Sequence, residues 1–310
     1  MFFATDIHGS ETCWLKFVNA GSFYGVDVMI LGGDITGKGI QVLVEAQPHV
    51  YRSNFLGQEI VVDSREALGK LEAKIRSAGF YAYHTTPDEV KELAASEELR
   101  EKIFSRLIAE SIARWLEMAE QKLKGSGRRI IVTAGNDDPE SINELFIGSS
   151  VITWAERDIV SIDDHHEMIN EGFSNPTPWQ THRELTEDEL LKVLVEQIEK
   201  LKDVPNAIFN LHAPPYNSTL DGAPELDAKL TPKDGGRTYV PVGSTAVRQV
   251  IEKYQPLLGL HGHVHEAKGS TKIGRTLCVN PGSTYTEGSL SGVLVNLSSR
   301  AVRSFQPVQG

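Results

Sequence analysis

Residues 258–268 read LGLHGHVHEAK, so three of the ten histidines of this 310-residue chain stand at every second position from His261. Neutral imidazole is a common ligand of divalent transition metals, which makes this stretch a candidate metal site. A histidine pair of this spacing taken alone is more often a surface or structural feature. The stretch therefore predicts metal binding only if other ligand-type residues stand in comparable positions.

Four other stretches carry ligand-type residues directly after an apolar run. They are Asp6-Ile7-His8-Gly9, Gly32-Gly33-Asp34, Gly135-Asn136-Asp137-Asp138 and His212-Ala213-Pro214-Pro215. Each is weak evidence by itself, because an Asp after glycines usually caps a turn. Five such stretches, each at the carboxyl end of a predicted strand, indicate a functional site, since chemistry in open α/β sheets lies just beyond those ends.

The elements that must position these residues read as alternating strands and helices. The predicted strands cover 2–5, 26–31, 129–133, 207–211 and 257–260, and the predicted helices cover 11–20, 185–202 and 244–254. Short buried-type strands separated by helical segments are typical of an α/β protein.

The pattern changes between residues 38 and 125. The predicted elements there are a hairpin over 49–62 that turns near Leu56, a helix over 65–78, and helical segments from a capping box at Thr86 to Gly125. We interpret about 63–125 as a mainly helical insertion within a single domain of residues 1–310. Packing of this insertion on the sheet is favoured over a lid across the site.

Composition narrows the classes of partner. The net charge of −11 and the lack of a long basic run disfavour a protein that binds nucleic acid by neutralising phosphates. The two cysteines, Cys13 and Cys278, lie far apart in sequence and fit a reducing compartment. No segment approaches the ~18 apolar residues that cross a membrane, and no signal peptide is recognisable. We therefore expect a cytoplasmic protein without a membrane partner, and a homo-oligomer is compatible with the sequence.

The five stretches, in this order, resemble the calcineurin-like metallophosphoesterase superfamily, whose pattern is DxH, GD, GNH(D/E), H and GHxH. The resemblance extends from Asp6 to His265, and four of the five motifs match completely. The flanking stretches 244–266 and Asn280-Pro281-Gly282-Ser283 are similar to those of small prokaryotic members. The resemblance implies an α/β fold that forms a four-layer αββα sandwich, with two mixed β-sheets face to face and helices outside.

The resemblance also implies a site for two divalent metal ions. The implied ligands are a bridging carboxylate and three further side chains for each ion: Asp34 as the bridge, Asp6, His8 and His265 for the first ion, and Asn136, His212 and His263 for the second. His261 has no ligand role in the family pattern, so we expect it at the end of its strand, hydrogen-bonded or behind the ligands.

The ligand chemistry supports this interpretation. Carboxylate, amide and imidazole together suit Mn²⁺, Fe²⁺ or Zn²⁺, of which Mn²⁺ is the preferred prediction. Two ions about 3.5–4 Å apart can clamp the attacking and leaving oxygens at phosphorus, and can lower the pKa of bound water to about 7. We therefore expect a hydrolase acting on phosphoric ester bonds, in which metal-bound hydroxide attacks a phosphodiester of a small molecule or nucleotide. The alternatives are a phosphomonoesterase, a nuclease and a non-catalytic metal-binding scaffold.

The third motif departs from the family pattern, because Asp137 stands where the family has histidine. The family histidine lies near the scissile phosphate and helps the leaving group. An ionised aspartate donates no proton and repels phosphate, so either Asp137 has a raised pKa or another group takes that role. The repulsion should penalise a dianionic monoester more than a monoanionic diester.

Residues that select the substrate must lie in loops. Phe173 and Trp179 are candidates for walling the site or stacking on a base, although packing of their loop against the body explains them as well. The long segment 214–242 directly follows His212 and is a second candidate. Asp163-Asp164-His165-His166-Glu167 looks rich in ligands but fits a hairpin turn better than a third metal site.

Overall fold

The computed structural model describes residues 1–310 and contains six α-helices and eighteen β-strands. The helices are α1 (Glu11–Phe23), α2 (Arg65–Ser77), α3 (Pro87–Ala95), α4 (Glu97–Leu123), α5 (Glu187–Ile198) and α6 (Thr245–Tyr254). The strands of the first half are β1 (Phe2–Ala4), β2 (Val28–Gly32), β3 (Gly39–Gln47), β4 (Val50–Phe55), β5 (Gln58–Val62), β6 (Phe80–Thr85), β7 (Arg129–Thr133), β8 (Ile152–Trp154) and β9 (Ile159–Ser161). Those of the second half are β10 (Glu167–Glu171), β11 (Ile208–Leu211), β12 (Gly222–Pro224), β13 (Tyr239–Pro241), β14 (Leu258–Leu260), β15 (Gly269–Ile273), β16 (Thr276–Asn280), β17 (Ser291–Ser298) and β18 (Ala301–Gln309).

Two six-stranded mixed sheets form the centre of the fold. The first has the strand order β18-β17-β1-β2-β7-β8 and the second β15-β16-β14-β11-β10-β9. Parallel pairing of β1, β2 and β7 in the first sheet, and of β11 and β14 in the second, aligns the carboxyl ends of these strands. The loops that follow them therefore emerge at common edges, which is where the ligand-type residues stand.

Successive side chains along the strands of the first sheet pack alternately into two hydrophobic clusters, one on each face of the sheet. Phe3 and Ile30 of the first sheet face inward, in one buried cluster with Met168 and Leu258 of the second sheet. Their neighbours face outward, and Met29 for example belongs to the cluster beneath α1 and α4. Side chains of a strand point alternately to its two faces, so one apolar strand can serve two cores.

Helices cover both outer faces. α1 and α4 pack on the first sheet, where Trp14 and Trp115 stack with ring centroids 5.0 Å apart. α5 and α6 pack on the second sheet through residues such as Leu194 and Val250. The predicted α/β sandwich with helices outside two mixed sheets is confirmed.

A third sheet, of order β5-β4-β3-β6, adjoins this sandwich and packs on α2. The predicted hairpin is present as β4 and β5, and the helices predicted in this region are α2, α3 and α4. Strand β6 is not among the predicted elements. Its six residues lie between two helix signals, and its parallel pairing with β3 is a tertiary contact that periodicity does not reveal. No helix has both the length and the apolar character that a membrane span needs.

Candidate metal centre

The structure brings the seven predicted ligand residues together at the carboxyl ends of β1, β2, β7, β11 and β14: Asp6, His8, Asp34, Asn136, His212, His263 and His265. The backbone turns sharply to achieve this. Asp6, His8, Asp34 and His263 all have positive φ, at 54°, 39°, 49° and 68°. Side-chain-bearing residues rarely adopt such angles, and they concentrate at functional sites.

One group of ligand atoms comes from Asp6, His8, Asp34 and His265, all within 4.8 Å of one another. The Nε2 atoms of His8 and His265 are 3.0 Å apart. Nε2 of His265 is 3.4 Å from Oδ1 of Asp6, and Nε2 of His8 is 3.5 Å from Oδ2 of Asp34. All four side chains thus point at one small volume.

A second group comes from Asp34, His212 and His263, within the same 4.8 Å limit. Nε2 of His212 is 3.4 Å from Oδ2 of Asp34. Asn136 joins this group, since its Oδ1 is 3.1 Å from Nε2 of His212 and 2.7 Å from Nδ1 of His263. Asp34 belongs to both groups.

These residues fit divalent ions. The two facing Nε2 atoms of His8 and His265 share at most one proton between them, and the buried Nδ1 of His8 has no hydrogen-bond partner. Nδ1 of His212 lies 3.0 Å from the carbonyl oxygen of Gly32, which favours a proton there and leaves the Nε2 lone pair directed at the cluster. This buried set of carboxylates and imidazoles could bind metal ions.

In the metal-free cluster, a proton on a histidine balances the charge of the buried carboxylates. Burial acts to lower the pKa of His212, but the carboxylate of Asp34 outweighs it and raises that pKa to about 10. Burial opposes ionisation of Asp34 as well, yet His212 and His8 hold the pKa of Asp34 well below its usual value. A proton on His212 thus compensates the buried carboxylates, and a bound metal ion would supply that positive charge instead.

Asp137 lies beside the cluster and is ion-paired with Lys38. Its Oδ2 is 3.0 Å from Nζ of Lys38 and 3.9 Å from Nδ1 of His8. Its backbone N–H donates to Oδ1 of Asp34 at 3.0 Å. Burial and the nearby Asp34 raise the pKa of the Asp137 carboxyl, although Lys38 opposes them.

Two further residues hold the ligand loops in place. Asp138 accepts hydrogen bonds from the backbone N–H groups of Ile35, Thr36 and Gly135, and so joins the loops after β2 and β7. The hydroxyl of Thr181 accepts from Nδ2 of Asn136 at 2.9 Å, which turns Oδ1 of Asn136 towards the histidines. Support of this kind orients metal ligands in proteins.

An open cavity of about 650 Å³ lies over the cluster. Trp179 lines it and is 63% exposed. Phe104 of α4 lines it too, so a helix of the insertion contributes to the wall. Phe173 does not line this cavity, because its ring packs against the guanidinium of Arg157, 3.9 Å from the ring centroid.

The other residues and segments singled out in the sequence lie outside the ligand cluster. His261 is fully buried at the end of β14, with Nδ1 2.9 Å from the carbonyl oxygen of Leu211. Residues 163–166 form the turn of the β9–β10 hairpin, in which Asp163 pairs with His166. The segment 214–242 carries the small β12–β13 hairpin and does not line the cavity over the cluster.

Sequence reasoning missed Lys38, Thr181 and Phe104. Lys38 follows the Gly-Gly-Asp stretch by only four residues, so its proximity to Asp34 was available as a signal. Thr181 and Phe104 are far from every motif in sequence, and only folding brings them to the site.

Comparison with known proteins supports the fold. No family model matches the chain. Over 155 residues the chain is 34% identical to an uncharacterized protein of Methanocaldococcus jannaschii, and this stretch covers 49% of the chain and 63% of that relative. The match therefore spans less than two thirds of the relative's length.

A solved crystal structure aligns over 99% of this chain and 97% of its own, with a TM-score of 0.59 and 18% identity. The crystal structure of TT1561 of Thermus thermophilus aligns over 99% and 96%, with a TM-score of 0.46 and 15% identity. At such identities the first likeness concerns the fold alone. The overall fold of this chain is therefore similar to that of a solved protein.

Proposed function

We propose that this protein is a dinuclear metal-dependent phosphoesterase, a hydrolase acting on phosphoric ester bonds. The observation that carries the proposal is that two groups of ligand atoms share one carboxylate, Asp34, at the floor of an open cavity. Such sharing is the arrangement by which a protein holds two ions close enough to act on one phosphate.

The proposed ligands are those that the resemblance implied. Asp6, His8 and His265 hold one ion, Asn136, His212 and His263 hold the other, and Asp34 contacts both. Mn²⁺ is the preferred ion, with Fe²⁺ or Zn²⁺ as alternatives. Bound divalent ions supply Lewis acidity, which activates water and offsets the charge of a phosphate ester.

The charge of the cavity supports a metal-dependent reaction with a small substrate. Asp34, Asp137 and Glu266 line the cavity, whereas Lys38 is its one lysine or arginine. The protein as a whole carries a net charge of −11. An anionic substrate would be repelled without bound cations, and a long nucleic acid would also meet the acidic surface.

A phosphodiester is the preferred substrate. Asp137 lies beside the ligands, and its carboxylate repels a dianionic monoester more than a monoanionic diester. The exposed Trp179 on the cavity wall offers a flat apolar surface to one of the two ester groups. Phe173 is a weaker candidate for substrate contact, because it packs on Arg157 instead.

The test is to strip the protein of metal, add Mn²⁺ back, and compare hydrolysis of a chromogenic phosphomonoester with that of the matching diester. We expect Mn²⁺-dependent turnover with the diester preferred, and about two ions per chain by elemental analysis. The variant Asp34→Asn should lose both bound metal and turnover, since it removes the shared ligand. Asp163→Asn, in the β9–β10 turn, is the control.

Metal-independent turnover, or full metal content and activity in Asp34→Asn, would contradict the proposal. Two bound ions without turnover on either ester would favour the scaffold alternative. A faster rate on the monoester would keep the metal site but reverse the preferred substrate.

A further inference from the structure

We propose that Lys38 is a catalytic residue whose ammonium group contacts the leaving-group oxygen of the substrate, with Asp137 as the residue that positions it. This inference rests on the proposed phosphoesterase function. It assigns a role to a residue outside the predicted ligand set.

Lys38 is the cation that the cavity offers to a substrate. It is the only lysine or arginine among the 14 residues that line the cavity. Its Nζ lies 3.0 Å from Oδ2 of Asp137, and that oxygen lies 3.9 Å from His8. The side chain of Asp137 therefore lies between the ammonium group and the ligand cluster.

The loop that carries Lys38 is held firmly. The backbone N–H of Gly37 donates to the hydroxyl of Tyr81 at 2.8 Å. The N–H of Thr36 donates to the carboxylate of Asp138, also at 2.8 Å. A Cβ atom at position 37 would lie 2.4 Å from the carbonyl oxygen of Gly79. The loop therefore packs directly against the connection between α2 and β6. Lys38 thus extends from a fixed backbone.

The side chain itself is neither buried nor free. It is 46% exposed, and its exposed part faces the cavity that Asp137 and Thr36 also line. An ammonium group has three N–H donors. The contact with Asp137 needs one of them, so two are left for oxygens of a substrate.

Ester hydrolysis develops negative charge on the leaving-group oxygen. The oxygen of water bonds to phosphorus and releases a proton to solvent, the bond from phosphorus to the ester oxygen breaks, and that oxygen leaves with the electron pair. A fixed cation near the leaving oxygen stabilises the developing negative charge, and solvent then protonates the released alkoxide. Lys38 keeps its own proton throughout. The carboxylate of Asp137, whose Oδ2 is 3.0 Å from Nζ, stabilises the charged form of Lys38.

A purely structural ion pair is the alternative. Partly exposed ion pairs contribute little to stability, so removal of Lys38 would then change little except a small part of the free energy of unfolding. The two interpretations therefore predict different effects of Lys38 variants on substrate binding and on how the rate depends on the leaving group.

The experiment uses full-length, Mn²⁺-loaded protein with Lys38→Met, Lys38→Arg and the control Lys202→Met. Lys202 is also ion-paired, with Nζ 3.1 Å from Glu167, but it lies outside the cavity. Calorimetry measures the affinity for inorganic phosphate. Kinetics measures hydrolysis of a series of diesters whose leaving groups differ in acidity.

We expect Lys38→Met to bind phosphate about 10-fold more weakly at unchanged metal content. Its turnover should fall on the order of 10²-fold for poor leaving groups and much less for good ones, as when an oxyanion donor is removed. Lys38→Arg should recover part of both losses, because it keeps the charge. Lys202→Met should match the wild-type protein.

The proposal on Lys38 is overturned if Lys38→Met equals Lys202→Met, or if it slows every ester by the same factor. In either case Mn²⁺-dependent turnover of the wild-type protein still upholds the phosphoesterase function. Absence of that turnover overturns the proposed function and the role of Lys38 together.

Discussion

His212 and His261 are both fully buried, yet their surroundings favour different protonation states. His212 faces the carboxylates of Asp34 and Asp6, which raise its pKa to about 10. His261 faces the backbone carbonyl oxygens of Leu211 and Ala213, and burial lowers its pKa to about 4. His212 therefore carries a positive charge in the metal-free protein, whereas His261 stays neutral.

A first prediction concerns the pH dependence of stability that His261 causes. Its pKa is about 4 in the folded protein and 6.5 in the unfolded chain, so between these values the unfolded chain binds a proton that the folded protein does not. The free energy of unfolding therefore falls as the pH falls, and His261 contributes a loss of about 2 kcal/mol between pH 7 and pH 5.

Urea unfolding of metal-free protein at both pH values measures this contribution. His261→Asn keeps an N–H donor for the carbonyl of Leu211 but does not titrate, so its loss of stability between pH 7 and pH 5 should be smaller than that of the wild-type protein by the same amount. Equal losses in the two proteins would mean that His261 is protonated in the folded state.

At the scale of elements, the ligand loops after β2 and β7 are joined to each other by hydrogen bonds. Asp138 in the loop after β7 accepts from Ile35 and Thr36 in the loop after β2. These two loops carry Asn136 and Asp34. The spacing of the two ligands therefore depends in large part on the buried carboxylate of Asp138.

We predict that Asp138→Asn lowers the free energy of unfolding by about 2–3 kcal/mol, because an amide group would face backbone N–H donors that need an acceptor. Metal affinity should fall about 10-fold, as is typical when support behind a ligand is lost. Urea unfolding and Mn²⁺ titration measure the two effects.

Asp163→Asn is the matched control, since Asp163 also accepts backbone N–H groups, from His165 and His166, but in a remote turn. It should leave Mn²⁺ affinity unchanged. An equal loss of affinity in both variants would show that general destabilisation, and not loop spacing, weakens metal binding.

The loop between β10 and α5 carries Trp179 over the cavity. Its backbone is held by Glu184, which accepts from the N–H groups of Thr177 and Thr181. We predict that Trp179→Ala raises KM about 3- to 10-fold for a diester with a phenyl ester group, because a stacking surface is lost. The KM for the corresponding methyl diester should change little.

Steady-state kinetics with both diesters provides this comparison. Tyr239→Ala is the control, since Tyr239 is similarly exposed but does not line the cavity. Equal changes in KM for the phenyl and methyl diesters would remove Trp179 from substrate recognition.

At the scale of the whole molecule, the candidate metal centre lies where the two large sheets meet. Asp34 follows a strand of the first sheet and His212 follows a strand of the second. A bound ion would therefore link the two halves of the sandwich, and its binding energy would add to the stability of the entire fold.

We predict that Mn²⁺ raises the Tm of metal-free protein by several degrees. A ligand that binds only the folded state stabilises it by about 2.7 kcal/mol at a free concentration of 100 times Kd. Asp34→Asn should show a much smaller rise. A Tm that is independent of Mn²⁺ in the wild-type protein would argue against a preformed site, and thermal unfolding with and without the ion decides the matter.

Secondary structure near the site was readily predicted from the sequence. The strands β1, β2, β7, β11 and β14 and the helices α1, α5 and α6 lie within a few residues of their predicted positions. Apolar runs that end in Gly, Asp or His are strong local signals. Strand β6 was missed because its pairing with β3, about forty residues earlier, is what makes it a strand.

Local sequence patterns indicate which residues stand at strand ends, and parallel pairing brings those of one sheet to a common edge. The approach of the two sheets, and the residues that surround the ligand side chains, depend on tertiary packing. The pairing of Lys38 with Asp137, the orientation of Asn136 by Thr181, and the placement of Phe104 beside the cavity all join segments that are far apart in the chain. Such contacts depend on how layers pack in three dimensions, and no local pattern of residue types records that packing.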